Sequence, residues 1–172
     1  MKHLLRIKRA LEKILERVVI AVMAALVLAV LWQICSRYLL GSASSWSEEL
    51  AKILLVWGSL LGAAIAYAEK SHLGVDYFVA KLKPLPRNMV ALLVHALVGA
   101  GAAYLMVYGG NAVMQNAFTY HQTTAAMKLD YGYVYLALPV GGCFFVLFAS
   151  GFICEAWGAI QASLKGKESS DG

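Results

Sequence analysis

Residues 18–36 read VVIAVMAALVLAVLWQICS and hold no charged side chain over nineteen positions. A bilayer core about 30 Å thick is crossed by roughly 20 helical residues. The apolar positions are continuous rather than alternating, which excludes a strand of a membrane β-barrel. The stretch therefore predicts a membrane-spanning α-helix, and it makes lipid the solvent in which the chain folds.

Three more stretches of this kind follow, and the composition of the whole chain agrees with them. Hydrophobic residues make up 60% of the 172 residues and charged residues 15%, against about 45–50% and about 25% in soluble domains. A soluble enzyme is therefore excluded. We predict an all-α integral membrane protein, one membrane domain over residues 1–172 with four transmembrane helices, at about residues 18–40, 47–69, 88–112 and 131–157.

The basic residues are distributed unevenly between the two sides of such a fold. Twelve of the 15 lysines and arginines precede the first span, lie between the second and third, or follow the fourth. The other side holds Arg37, Lys52 and Lys128. Because basic connections stay in the cytoplasm, we predict that both termini are cytoplasmic.

The first 17 residues differ in character from the spans. Their apolar side chains recur at spacings of three and four and share one helical face, while charged side chains take the other. We predict an amphipathic N-terminal helix in the cytoplasmic interface, with its cations near lipid headgroups. A secretory signal peptide is the alternative, although its charged region would be long and partly acidic. Residues 165–172 are predicted to form a polar tail.

The interiors of the predicted spans carry few polar groups. Gln33 lies in the first span and His95 in the third, and the second and fourth have no charge. Ion relays need chains of ionisable groups and haem ligation in a bundle needs paired histidines. We therefore predict no catalytic residue, metal or cofactor, no enzymatic activity, and a hydrogen bond from His95 to a neighbouring helix. The net charge of +5 does not indicate nucleic acid.

Small residues repeat every four positions in the second span, at Gly58, Gly62 and Ala66. Such a stripe lets another helix approach closely. The stripe is equally consistent with packing inside the four-helix bundle and with packing against a partner subunit.

The connection between the first two spans is the most informative segment. Ser45 followed by Glu48 is a capping-box pattern that predicts the start of the second helix. Glu48 and Glu49 then lie in the first turn, where the helix dipole favours negative charge. Arg37 ends the preceding helix and is a candidate ion-pair partner for either glutamate, while Trp46 suits the membrane–water boundary. These residues alone are explained by an anchored helical hairpin.

Several motifs in and around this connection form a recognisable set: Arg37-Tyr38, Trp46-Ser47-Glu48-Glu49-Leu50, Trp57, Gly62-Ala63-Ala64 and His72-Leu73-Gly74-Val75-Asp76. As a set they resemble the small membrane subunit of tripartite ATP-independent periplasmic (TRAP) transporters. The chain length, the four spans and the amphipathic start fit this resemblance, which covers nearly the whole chain.

The resemblance implies a function and partners. Such transporters combine a periplasmic substrate-binding protein, a small subunit and a large multi-span transport subunit in the bacterial inner membrane. They couple the uptake of organic-acid anions, such as sialic acid or C4-dicarboxylates, to a sodium gradient. The large subunit is expected to hold the substrate and sodium sites. The small subunit is expected to brace the scaffold of the large one and to help dock the binding protein.

The resemblance also implies structural or interface roles for individual residues. Some are expected to shape the periplasmic turn, namely Arg37, Trp46, Glu48 and Glu49. Others are expected to pack the second helix, namely Trp57, Gly58 and Gly62. His72 and Asp76 are expected to order the cytoplasmic loop. Residues 116–130 carry candidate docking residues for the binding protein, namely His121, Lys128 and Asp130.

Two alternatives belong to other classes of protein. The first is the membrane anchor of a redox enzyme, with quinone or haem held between helices; the single central His95 argues against haem. The second is a small homo-oligomeric exporter. Such a carrier normally needs a carboxylate embedded in the membrane, and none of the predicted span interiors has one.

Overall fold

The fold is known from a computed structural model that describes residues 2–39, 41, 44–69 and 84–168, with side chains described for 11–39, 41, 44–69 and 86–161. The chain there is helical almost throughout. Its elements are α1 (Lys2–Leu39), α2 (Ser45–Ala68), α3 (Pro84–Gly101), a π-helical segment (Ala102–Gly109), α4 (Gly110–Thr119), α5 (Tyr131–Tyr135) and α6 (Ala137–Glu168).

Four stretches of helix are long and apolar enough to cross a membrane: Leu11–Leu39, Ser45–Ala68, Pro86–Thr119 and Tyr131–Gln161. The prediction of an all-α integral membrane protein with four long apolar helices is thus confirmed. The third stretch continues to Thr119, past the predicted end at residue 112. Polar residues such as Asn111 and Gln115 do not end it, because the helix makes its backbone hydrogen bonds internally.

The N-terminal segment is continuous with the first crossing. Helix α1 runs unbroken from Lys2 to Leu39, and the sequence has no glycine or proline in that range to end it. A separate amphipathic helix in the interface is therefore not confirmed and stays a prediction. Leu15, which lies within the predicted interfacial segment, is buried at 3% exposure. This segment of α1 therefore already contacts the bundle.

Helices α2 and α6 form the centre of the bundle. Helix α1 packs on α2, α3 packs on α6, and α2 contacts α6. The central cluster of buried side chains comes from α1, α2 and α6: Leu15, Leu61, Ala64, Tyr67, Ala68, Phe148, Ala149 and Phe152. Large apolar side chains cover the outer faces of α1 and α3, as expected of surfaces that meet lipid or another membrane subunit.

The π-helical segment makes the third crossing unusual. Its backbone hydrogen bonds span five residues instead of four, which widens the turn. The widened turn lies directly against a pair of glycines in α6. A Cβ atom on Gly142 would lie 2.7 Å from Met106 Cβ, and one on Gly141 would lie 3.5 Å from Leu60 Cβ. The glycines therefore allow α6 to approach both the π-helical segment and α2.

Candidate functional site

The start of α2 lies beside residues 120–130, the connection between the third and fourth crossings; we call these two parts together the loop end. Helix α2 begins at Ser45 with Ser44 as its N-cap, and no side chain caps it. The predicted capping box of Ser45 and Glu48 is therefore wrong. The Ser47 hydroxyl donates to the Ser44 carbonyl oxygen at 2.8 Å, which turns that side chain away from solvent.

Charged side chains at the start of α2 pair within the helix. Lys52 Nζ donates to Glu48 Oε1 at 2.7 Å, and both side chains are exposed. The Glu48 carboxylate thus contacts Lys52, one turn ahead, and not the backbone N–H at the helix start that a capping box would use. Arg37 lies exposed in the last turn of α1, where the helix dipole favours a positive charge. Just beyond α1, Gly41 has a φ of 67°, a backbone conformation that suits glycine.

Residues 120–130 form a compact loop held by its own backbone. Thr123 and Asp130 form an antiparallel bridge, and the Tyr131 N–H donates to the Gln122 carbonyl oxygen at 2.8 Å. Buried Thr124 is central, because its N–H donates to Leu129 O at 2.9 Å and its hydroxyl accepts the Leu129 N–H at 3.1 Å. These bonds give the loop a defined shape although it contains no glycine or proline.

Glu49 joins this loop to α2. Its Oε1 accepts the Ala126 N–H at 2.8 Å, and its Oε2 accepts the Met127 N–H at 2.9 Å. Two adjacent backbone N–H groups in a turn form a concave site for an anion, and here the anion is the side chain of another helix. The sequence predicts that Glu49 lies in the first turn of α2 with Arg37 as a candidate partner, and the resemblance implies that it shapes the turn. The contact with Ala126 and Met127 is not among these predictions.

The three candidate docking residues all lie in this loop. His121 and Lys128 are exposed and Asp130 is half-buried. His121 has a φ of 45° and Lys128 a φ of 51°, which is uncommon for residues with a side chain and costs on the order of 1–3 kcal/mol each. The His121 N–H donates to Phe118 O at 3.2 Å and the Lys128 N–H to Thr124 O at 3.1 Å, and these bonds hold the two residues in place. Trp46 shares the loop end and is 46% exposed.

Trp57 extends the contact between α2 and the fourth crossing. Its Nε1–H donates to the Tyr133 carbonyl oxygen of α5 at 3.3 Å. Beside this bond, the Phe118 ring of α4 lies edge-to-face with Tyr133, with ring centroids 5.3 Å apart. Gly132 provides the space, since a Cβ there would lie 2.5 Å from the Phe118 ring. Trp57 is therefore half-buried against the central cluster and joins α2 to α5.

The small-residue stripe on α2 is covered by α1 over part of its length. A Cβ atom on Gly58 would lie 3.0 Å from Met23 Sδ, and one on Gly62 would lie 4.0 Å from Val19 Cγ1. Ala66, at the other end of the stripe, is exposed. Packing inside the bundle thus accounts for Gly58, and Ala66 is open to a neighbour.

We expect substitution of Gly58 by leucine to weaken the packing of α1 on α2. The added side chain must displace Met23 and Val22, at an expected cost of about 1–3 kcal/mol in the free energy of unfolding. Ala66→Leu enlarges a side chain at an exposed position of the same stripe. It should change the free energy of unfolding by less than about 0.5 kcal/mol. Denaturation of the purified chain by SDS in mixed micelles measures both. Equal effects would contradict the covered stripe.

His95 is hydrogen-bonded across the bundle, as predicted. Its Nδ1 lies 2.8 Å from the Tyr67 hydroxyl of α2. The two rings form an aromatic cluster with Phe152 of α6, whose ring centroid lies 4.9 Å from that of His95 and 5.6 Å from that of Tyr67. The polar pair therefore joins two crossings, and with Phe152 the cluster joins three, near the end of α2 opposite the loop end.

Two candidate residues, His72 and Asp76, lie outside the described residues, so their placement stays a prediction. Within the described part of the chain, no group of three histidine, cysteine, aspartate or glutamate side chains is arranged to hold a metal ion. The arrangement found at the loop end is instead a surface of charged and aromatic side chains on a hydrogen-bonded loop and the start of α2.

Comparison with known proteins gives a consistent match. The family model described as "Tripartite ATP-independent periplasmic transporters, DctQ component" matches residues 26–159. The sialic acid TRAP transporter small permease protein SiaQ of Vibrio cholerae is 33% identical over 140 residues, which cover 81% of this chain and 79% of that protein.

Two further relatives match over smaller shares of their own length. The C4-dicarboxylate TRAP transporter small permease protein DctQ of Rhodobacter capsulatus is 34% identical over 116 residues, 62% of this chain and 48% of that protein. The isethionate TRAP transporter permease protein DctMQ of Oleidesulfovibrio alaskensis is 28% identical over 127 residues, 70% of this chain and 20% of that protein.

Proposed function

The chain belongs to the DctQ component family of TRAP transporters, and from this premise we propose that it is the non-catalytic small permease subunit of a sodium-coupled transporter for organic-acid anions. Sialic acid and C4-dicarboxylates are the substrate classes proposed, since the names of two relatives carry them. The family does not favour the alternative of a redox membrane anchor.

The polar groups of the bundle support the proposal that this subunit does not carry the ion and substrate sites. Ion and substrate sites within membranes need ionisable or polar groups at depth. Here His95 and Tyr67 are hydrogen-bonded to each other, and Glu49 accepts backbone N–H groups of residues 120–130. We therefore assign the transport chemistry to a large multi-span subunit. The chain matches one fifth of DctMQ, so that permease carries much polypeptide beyond a small subunit.

We propose that the protein lies in the bacterial inner membrane with both termini in the cytoplasm. The distribution of 15 lysines and arginines supports this orientation. The loop end then faces the periplasm, and the N-terminal cations lie near the headgroups of cytoplasmic-leaflet lipids. In this orientation the loop end, with His121, Lys128 and Asp130, is the proposed contact surface for the periplasmic binding protein. Arg37 and Trp46 are proposed to shape the periplasmic turn, and His72 and Asp76 to order the cytoplasmic loop.

Deletion of this chain from its host tests the proposed function. Uptake of labelled sialic acid and of labelled succinate, a C4-dicarboxylate, is measured with sodium present and with sodium replaced by choline. We expect uptake of one of them to be lost in the deletion strain, restored by a plasmid copy, and absent without sodium. Undiminished uptake of both in the deletion strain would overturn the proposal. Uptake that persisted in choline would overturn the sodium coupling alone.

A further inference from the structure

We propose that Glu49 is a positioning residue for docking: its carboxylate holds residues 120–130 in the conformation that a soluble binding protein contacts. This rests on the proposed function, because it needs a partner that docks at the loop end. The contact that carries the proposal joins α2 to a loop more than 70 residues further along the chain.

The bonds that Glu49 makes are of a strong kind. Both carboxylate oxygens are used, one for each of two consecutive backbone N–H groups, at 2.8 and 2.9 Å. Hydrogen bonds to an ionised acceptor are roughly twice as strong as those between neutral groups. Because both bonds come from one planar carboxylate, they fix the orientation of the two successive peptide groups that carry the Ala126 and Met127 N–H, as well as their distance from α2.

These two bonds hold the part of the loop that directly precedes a candidate docking residue, Lys128. Ala126 and Met127 lie at the tip, directly before Lys128, whose φ of 51° is held by the Lys128 N–H bond to Thr124 O at 3.1 Å. The base of the loop is fixed separately by the Thr123–Asp130 bridge. Without Glu49 the tip keeps its connection to the base and loses these two bonds to α2.

The neighbouring glutamate provides a contrast within the same helix turn. Glu48 is exposed and pairs with Lys52, four residues ahead on α2. An exposed pair of this kind contributes little to stability, and it does not reach the loop. Two adjacent carboxylates thus have separable tasks, and of these two only Glu49 links α2 to residues 120–130.

Hydrogen exchange of the Ala126 and Met127 amides tests the structural step. The variants are made in the purified complex of small and large subunits. Glu49→Ala removes both acceptors, and we expect both amides to exchange about tenfold faster or more. Glu49→Gln keeps one acceptor oxygen and should give an intermediate rate. Glu48→Ala should leave the exchange of both amides unchanged.

Transport by the complex in liposomes tests the functional step. Uptake of the substrate identified in the deletion experiment is measured against the concentration of its loaded binding protein. Glu49→Ala should raise the half-saturating concentration of binding protein severalfold and leave the maximal rate close to that of the unaltered protein. Glu16→Ala, which removes an exposed glutamate on α1, should change neither value. A lower maximal rate without a change in half-saturation would indicate general damage and overturn the positioning role.

Two further outcomes would also be decisive. Unchanged exchange of Ala126 and Met127 in Glu49→Ala would overturn the inference at its first step. Faster exchange with an unchanged half-saturating concentration would overturn the role in docking. In both cases uptake would still need this chain, so failure of the inference is distinguished from failure of the proposed function, in which uptake proceeds without the chain.

Discussion

Substitution of Gly142 by alanine should destabilise the bundle by about 1–3 kcal/mol. The new methyl group would lie 2.7 Å from Met106 Cβ, 2.9 Å from Val107 Cγ2 and 3.2 Å from the Val107 backbone nitrogen. Neither Met106 Cβ nor the backbone nitrogen is the end of a flexible side chain, so α6 and the π-helical segment must move apart. The free energy of unfolding of the purified chain, from SDS titration in mixed micelles, measures the effect.

The same substitution elsewhere on α6 should have the opposite sign. A Cβ atom on Gly151 would meet no heavy atom within 4 Å, and alanine is favoured over glycine in a helix interior by about 0.8–1.0 kcal/mol. Gly151→Ala is thus a matched control that shares the helix and the chemical change. If Gly142→Ala stabilised the chain as Gly151→Ala does, the close approach of α6 to the π-helical segment would be refuted.

Removal of the Tyr67 side chain should cost more than removal of an exposed tyrosine side chain from the same bundle. Tyr67 is 1% exposed, and its ring lies 5.4 Å from that of Phe145 and 5.6 Å from that of Phe152, centroid to centroid. Tyr67→Ala leaves a cavity between α2, α3 and α6, with an expected loss of about 3 kcal/mol or more in the free energy of unfolding. SDS titration of the purified chain in mixed micelles measures this loss.

A second substitution separates packing from hydrogen bonding at this position. Tyr67→Phe keeps the ring and removes the bond to His95 Nδ1. Bonds between membrane helices average about 0.6 kcal/mol and reach about 1.7 kcal/mol, so this loss should be the smaller one. Tyr104→Ala, at a side chain 69% exposed, should have little effect on the purified chain. A Tyr67→Ala loss no greater than that of Tyr104→Ala would contradict the buried cluster.

The fold was predictable because membrane helices are specified by composition over long stretches. Nineteen uncharged residues at 18–36 permit little except a crossing helix. Ends of helices are set by weaker forces. The N-cap of α2 is Ser44 and not Ser45, a difference of one residue in a run of serines with similar capping preference. The hydrogen bond of His95 to a neighbouring helix was predictable because a polar group buried in the membrane needs a partner.

The candidate site was less accessible to sequence reasoning. Glu49 contacts backbone N–H groups, which every non-proline residue has, so no residue type near Ala126 identifies the contact. The helix-dipole explanation for Glu49 was plausible and sufficient locally. The π-helical segment likewise has no sequence signature of its own, although the paired glycines at 141 and 142 indicate that some backbone comes close to α6.

The π-helical segment Ala102–Gly109 sets the azimuth of everything that follows it in the third crossing. A turn closed by i→i+5 bonds holds one residue more than an α-helical turn, and each residue of an α-helix advances the chain by about 100° around the axis. If the same residues closed in α-helical turns instead, α4 and the loop it carries would be rotated by about that angle relative to α3. Glu49 would then meet a different side of the loop. The width of this turn therefore sets the rotation of the loop end about the axis of the third crossing, and the geometry of the loop end depends on it as well as on the Glu49 carboxylate.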